Sequence, residues 1–165
     1  YGGSTDNCLR FLVEVTNALV DAVGADKVGV RLSPTGQYND MRDSNPTATF
    51  TRAAELLNPL GLAYLHIMEA LPGHMMYTEG ERVLPHIRKV YRGLLLTNGG
   101  YTKTSGNMAL ENGEADAITF GMLYLANPDL VPRFKNDAPF NHPDFATLYT
   151  PGEKGYTDYP MLSQQ

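Results

Sequence analysis

Lys27-Val28-Gly29-Val30-Arg31-Leu32-Ser33-Pro34 is the stretch whose reading decides the fold. Val28, Val30 and Leu32 alternate onto one side of a short strand, Lys27 to Leu32. Ser33-Pro34-Thr35-Gly36 ends that strand in a loop running to about Pro46. Upstream, Leu9, Leu12, Thr16, Leu19, Val20 and Val23 recur at spacings of three and four, the stripe of an amphipathic helix. Ser4 fits its N-cap, Asp6 suits the positive end of its dipole, and Gly24 stops it. A helix therefore runs directly into an apolar strand.

Working outward, the unit recurs. Thr47 to Asn58 predicts a helix with Phe50, Ala53, Ala54 and Leu57 inward, and Leu62 to Met68 a strand. After a loop from Glu69 to Gly80, Glu81 to Tyr91 predicts a helix in which Pro85 is tolerable because it lies in the first turn. Leu94 to Thr97 is the third strand, Thr104 to Asn112 a short helix, and Asp116 to Phe120 the fourth strand. Asn127-Pro128-Asp129 opens a last helix to about Lys135, and from about residue 136 the tail is irregular. Residues 1–165 show no linker and are expected to form a single segment. Alternation of this kind demands a parallel sheet of four strands covered by helices. Four strands are half of what a (β/α)8 barrel of ~250 residues contains. An open doubly wound sheet and half of a barrel both satisfy the pattern.

Composition removes several function classes. A net charge of −5 and a single diluted basic run, Arg82 to Arg92, argue against nucleic acid. That run reads as the solvated face of a helix. Cys8 stands alone, which excludes an internal disulfide and a thiolate metal cluster and fits a reducing, cytoplasmic setting. No apolar run approaches the ~20 residues of a membrane span, and Tyr1-Gly2-Gly3-Ser4 lacks the features of a signal peptide. The chain begins without methionine and reads as a segment of something longer.

In both architectures ligands bind beyond the C-terminal ends of the strands. Arg31 to Gly36, His66 to Gly73, Asn98 to Tyr101, and Gly121 with Met122 occupy those places. Gly99-Gly100 and Gly121 are either tight turns or places where backbone N–H groups approach a phosphate. Arg31, inside an apolar strand, must face an anionic ligand or pair with a carboxylate such as Glu69. His66, His74, His86 and His142 have no spacing that makes a metal site, and His66 reads as a hydrogen-bonded histidine of the core or mouth. Met68, Met75 and Met76 fill gaps. Neither a Ser-His-Asp motif nor G-x-G-x-x-G is present.

Several motifs, taken in order, resemble one family. Tyr1-Gly2-Gly3-Ser4-Thr5-Asp6-Asn7 with Arg10-Phe11 resembles Y-G-G-S-x-E-N-R-x-R-F. Val28-Gly29-Val30-Arg31-Leu32-Ser33-Pro34 resembles V-G-x-R-[LI]-S-P. Asn98-Gly99-Gly100-Tyr101, Phe120-Gly121, Ala126-Asn127-Pro128-Asp129-Leu130, Leu148-Tyr149 and Gly155-Tyr156-Thr157-Asp158-Tyr159-Pro160 follow. The chain is similar throughout to Old Yellow Enzyme-type ene-reductases, which are FMN-dependent (β/α)8 barrels.

The resemblance implies the C-terminal half of such a barrel, strands five to eight. It implies that Arg31 contacts the flavin ring, that Gly99, Gly100, Gly121 and the backbone of Met122 hold the FMN phosphate, that Asn98 also binds the cofactor, and that Tyr149 lines the substrate mouth. Met122 stands where the family usually has arginine or lysine, which weakens the phosphate clamp. Cys8 stands where arginine is usual. The family's catalytic motif, H-x-x-[HN]-G-Y, lies upstream of Tyr1, so no catalytic residue is assigned in this chain.

Three functions compete. The first is the FMN-binding half of an NAD(P)H-dependent ene-reductase acting on enones, inactive alone and completed by a missing N-terminal half. The second is a self-associating structural half barrel that pairs with a second copy. The third, a flavodoxin-like FMN domain, needs a phosphate loop at Ser33 to Gly36, where Pro34 has no N–H to donate.

Overall fold

In the computed structural model, which describes residues 1–162, the first helix starts where its cap dictates. Ser4 accepts a hydrogen bond from the Asn7 N–H at 3.3 Å, and α1 (Thr5–Val23) runs to Gly24. The alternation then unfolds as β1 (Gly29–Leu32), α2 (Pro46–Leu57), β2 (Tyr64–Met68), α3 (Leu84–Val90), β3 (Leu95–Asn98), α4 (Lys103–Glu111) and β4 (Ala117–Ile118). Two further helices follow, α5 (Met122–Ala126) and α6 (Leu130–Asn136).

The four strands are parallel and lie in sequence order. This order has no reversal point, which sets the sheet apart from a doubly wound one and gives the arc of a half barrel. Arg31 lies opposite His66, His66 opposite Leu96, and Leu96 opposite Ala117. Period-two alternation then sorts the faces. Leu65, Ile67 and Leu95 are fully buried against Leu57, Val83, Leu84 and Ile87, with Val30 and Leu32 packed alongside. Burying side chains of this size stabilises the folded state by about 1.5–3 kcal/mol each. The other face carries Gly29, Arg31, Tyr64 and His66, of which Arg31 and Tyr64 are exposed. Parallel sheets are normally covered on both faces. Here one is open.

Tyr64 shapes that face near its start. Its ring lies where a side chain on Gly29 would be, so a Cβ there would require the ring to move.

Several boundaries differ from the sequence expectation. The third helix begins at Leu84 rather than Glu81, because the buried Glu69 carboxylate accepts from the Val83 N–H at 2.6 Å and the Leu84 N–H at 3.2 Å. The fourth strand is only Ala117–Ile118, not Asp116 to Phe120. Asn127 to Lys135 is not one helix: Met122–Ala126 precedes it, and helix resumes at Leu130.

The chain packs as two compact units, Tyr1–Thr119 and the residues from Phe120 onward. The first holds the sheet and its helices. The second is built on polar anchors. Arg133, with no exposure, binds Asp129 at 2.6 Å and donates to the carbonyls of Pro139 and Pro160. Asn127, equally buried, exchanges hydrogen bonds with the Asn141 backbone. Phe120, Phe134 and Phe140 pack edge to face beside them.

Candidate functional site

The C-terminal ends of the strands bring the residues singled out in the first unit onto its open face. Arg31 is exposed there and makes no ion pair among the described residues. Glu69, the carboxylate considered as its partner, is occupied elsewhere: it caps α3 and lies 3.5 Å from Arg82. Across the register from Arg31, half-buried His66 meets the Thr119 hydroxyl at 3.0 Å through Nε2. Burial, and then the Arg31 charge, push the His66 imidazole below the usual histidine range, while the nearby Asn98 amide acts in the opposite direction. His66 is thus held neutral beside a permanent cation. Asn98 Oδ1 is buried and completes no hydrogen bond of full geometry among the described residues, the His66 ring being the polar group that its side chain acts on. A buried acceptor in that state fits a ligand donor.

The turn after β3 is the second component. Gly99 has φ +121°, and a Cβ there would meet the Glu69 carbonyl oxygen at 2.5 Å. Gly100 has φ +90°. Glu69 N–H donates to the Asn98 carbonyl at 3.1 Å and Leu71 N–H to the Gly99 carbonyl at 2.7 Å, so the outgoing carbonyls are tied down. The N–H groups of Gly99, Gly100 and Tyr101 have no acceptor among the described residues. Consecutive backbone donors left without acceptors on a glycine turn are the kind of group that an anion can satisfy.

Behind the turn, Tyr101 is buried, and burial raises its phenol above the usual range. Its hydroxyl accepts from Arg82 at 3.2 Å. Arg82 also donates to Glu114 at 2.9 Å. The basic run from Arg82 is therefore not simply a solvated face, since Arg88 likewise pairs with Asp116 at 2.8 Å. Sequence reasoning passed over Arg82, Thr119 and the Tyr101 hydroxyl. Among the described residues no group of histidine, cysteine and carboxylates is arranged to hold a metal, and no helix is long and apolar enough to cross a membrane.

In the second unit Gly121 precedes α5 and Met122 begins it. Tyr149 is exposed at φ +58°, with its hydroxyl 3.5 Å from where a Gly121 Cβ would lie. A cleft of about 380 Å³ between residues 34–47 and 78–81 contains none of the predicted site residues.

A model of the NADH:flavin oxidoreductase / NADH oxidase family matches residues 1–141. The chain is 43% identical to 12-oxophytodienoate reductase 1 of Oryza sativa subsp. japonica, covering 99% of this chain and 44% of that protein. It is 41% identical to 12-oxophytodienoate reductase 7 of the same plant, over 99% of this chain and 45% of the relative. Among solved structures, the old yellow enzyme homologue from Zymomonas mobilis superposes with a TM-score of 0.94 at 39% identity, over 98% of this chain and 46% of its own. The old yellow enzyme from Trypanosoma cruzi gives 0.90 at 36% identity, over 96% of this chain and 41% of its own. The chain spans under half the length of each of these relatives. By sequence over nearly its full length, and by a fold that matches half of an old yellow enzyme barrel, the chain belongs to the NADH:flavin oxidoreductase / NADH oxidase family.

Proposed function

We propose that this chain is the FMN-binding half of an NAD(P)H-dependent ene-reductase. The observation that carries the reading is the turn after β3, where Gly99, Gly100 and Tyr101 offer three free N–H groups. Arg31, unpaired on the same open face, and the buried Asn98 Oδ1 fit the ring end of the same ligand. Gly121 and Met122 contribute the further phosphate contacts that the family resemblance implies, and Tyr149 faces the substrate. FMN, when bound, relays hydride from NAD(P)H to the β-carbon of an activated alkene such as an enone. Arg31 supplies positive charge to an electron-rich ligand, and the glycine turn holds its anionic end. His66, neutral, leaves Arg31 as the single cation of the register pair.

No residue of this chain is assigned to proton delivery. The chain alone is expected to turn over enones poorly or not at all and to act together with an N-terminal half. A cytoplasmic location, in keeping with the lone thiol of Cys8, belongs to the same reading. The test is direct: purify the chain with excess FMN, desalt it, record the flavin absorbance, and assay enone-dependent NADPH oxidation. Retained colour without turnover is expected. A colourless chain overturns the cofactor assignment, and robust turnover overturns the assignment of catalysis to the other half.

A second reading, a self-associating half barrel, has its own observation. Phe11, Val15, Leu19 and Val23 form an exposed stripe along α1 at spacings of four.

A further inference from the structure

Arg82 lies just before α3, and one of its three side-chain contacts reaches the glycine turn, at Tyr101. Its guanidinium donates to the Tyr101 hydroxyl at 3.2 Å and to Glu114 at 2.9 Å, and its Nε lies 3.5 Å from Glu69 Oε2. Glu69 follows β2, Tyr101 ends the glycine turn, and Glu114 lies in the connection from α4 to β4. One side chain thus ties its own β2–α3 connection to the β3–α4 and α4–β4 connections. Burial alone would lower the Arg82 pKa, but Glu114, Tyr101 and Glu69 more than offset this, so the cation is held.

The glycines make such a clamp necessary. Gly99 and Gly100 have wide backbone freedom, so an ordered set of donors there needs an external constraint. The two backbone bonds from Glu69 and Leu71 fix only the carbonyl side of Asn98 and Gly99. The side carrying the free N–H groups of Gly100 and Tyr101 is fixed by the packed Tyr101 ring and by the bond from Arg82 to its hydroxyl.

We propose that Arg82 is a positioning residue for anion binding: through Tyr101 it holds the Gly99–Tyr101 donors in the geometry that receives the phosphate of the flavin. This rests on the FMN reading above, and it assigns Arg82 no contact with the ligand. It sets apart the phosphate-bearing cofactor from its dephosphorylated form, riboflavin, because a turn that opens loses phosphate contacts and leaves the ring contacts intact.

The experiment uses the 165-residue chain and compares it with Arg82→Met, Arg82→Lys and Tyr101→Phe. Flavin fluorescence titration with FMN and with riboflavin is read beside amide hydrogen exchange across residues 98–102. Arg82→Met and Tyr101→Phe are expected to weaken FMN about tenfold, leave riboflavin unchanged, and speed exchange selectively at Gly99 to Tyr101. Arg82→Lys should restore part of the FMN affinity. Equal losses for both flavins, or exchange that rises throughout the first unit, would show a general structural role and overturn the proposal. Unchanged FMN binding would do so as well. Tyr101→Phe keeps the ring, so it decides the matter if Arg82→Met fails to fold. If the unaltered chain binds neither flavin, the FMN reading fails for this chain. Selective exchange at the turn would then still support Arg82 as its clamp, and unaltered exchange would overturn it.

Discussion

His66 illustrates how one residue can be read correctly in sequence while its most telling neighbour stays hidden. In the run from Leu62 to Met68 it reads as a histidine of the core or mouth, and the structure does give it a hydrogen-bonded partner, Thr119. What the sequence hides is its position opposite Arg31, since the two lie on different strands paired through long-range register. Its lowered pKa has a consequence for stability. The unfolded chain takes up a proton near pH 6.5, whereas the folded chain takes it up only at lower pH. The unfolded state therefore binds more protons in that window, and stability falls as pH drops from above 6.5 through the folded value. We expect urea midpoints at about pH 7.5 and about pH 5.5 to differ less in His66→Gln than in the unaltered chain. An identical acid loss in both would assign the effect to other groups. Gly99 shows the opposite case: its role as a turn residue is legible at once, but the reason for it, the Glu69 carbonyl at 2.5 Å from a Cβ, requires coordinates.

The longer elements were readable because their signals are redundant. In α1, cap and terminal glycine agree over 19 residues, and Leu9, Leu12, Thr16 and Val20 of the stripe pack inward, whereas Leu19 and Val23, expected on the same stripe, are exposed. In β4 only two residues pair, too few for any periodicity, and so its extent was overestimated. The start of α3 shows a different limit. Its N-terminal donors are met by a carboxylate 14 and 15 residues upstream, which no local capping rule contains. The contacts of Arg82 with Tyr101 and Glu114 span 19 and 32 residues, and the arginine was read as solvated for the same reason. Glu69→Gln tests the α3 cap: it keeps the shape but removes the charge and replaces one accepting oxygen with an NH2 donor, so one of the two bonds is lost. A loss of about 1.5–3 kcal/mol in urea unfolding is expected. Native-like stability would mean that neither the charge nor the lost bond contributes to the cap.

For the whole molecule, alternation gave the parallel sheet, and only the ordered motifs distinguished half a barrel from a doubly wound sheet. The polar scaffold of the second unit was invisible, because Asn127 and Arg133 bind backbone carbonyls of a tail that has no period. The incomplete arc has a cost in solution. Phe11 is 66% exposed and Leu19 48%, on a helix whose opposite stripe already packs inward. An exposed apolar stripe and the unpaired edge of β1 both favour association. Sedimentation at micromolar concentrations is expected to show a concentration-dependent dimer, shifted toward monomer by Phe11→Ser with Leu19→Lys. A monomeric unaltered chain would set aside the association reading. Within the arc, the Tyr64 ring over Gly29 acts as an alignment key. The next position of β1 on that face is Arg31, so a two-residue slip of β2 would drive the ring onto a Cβ-bearing residue. Two strands joined through more than thirty residues of chain thus carry a steric bias in their own pairing, one that favours the aligned sheet before any ligand is present.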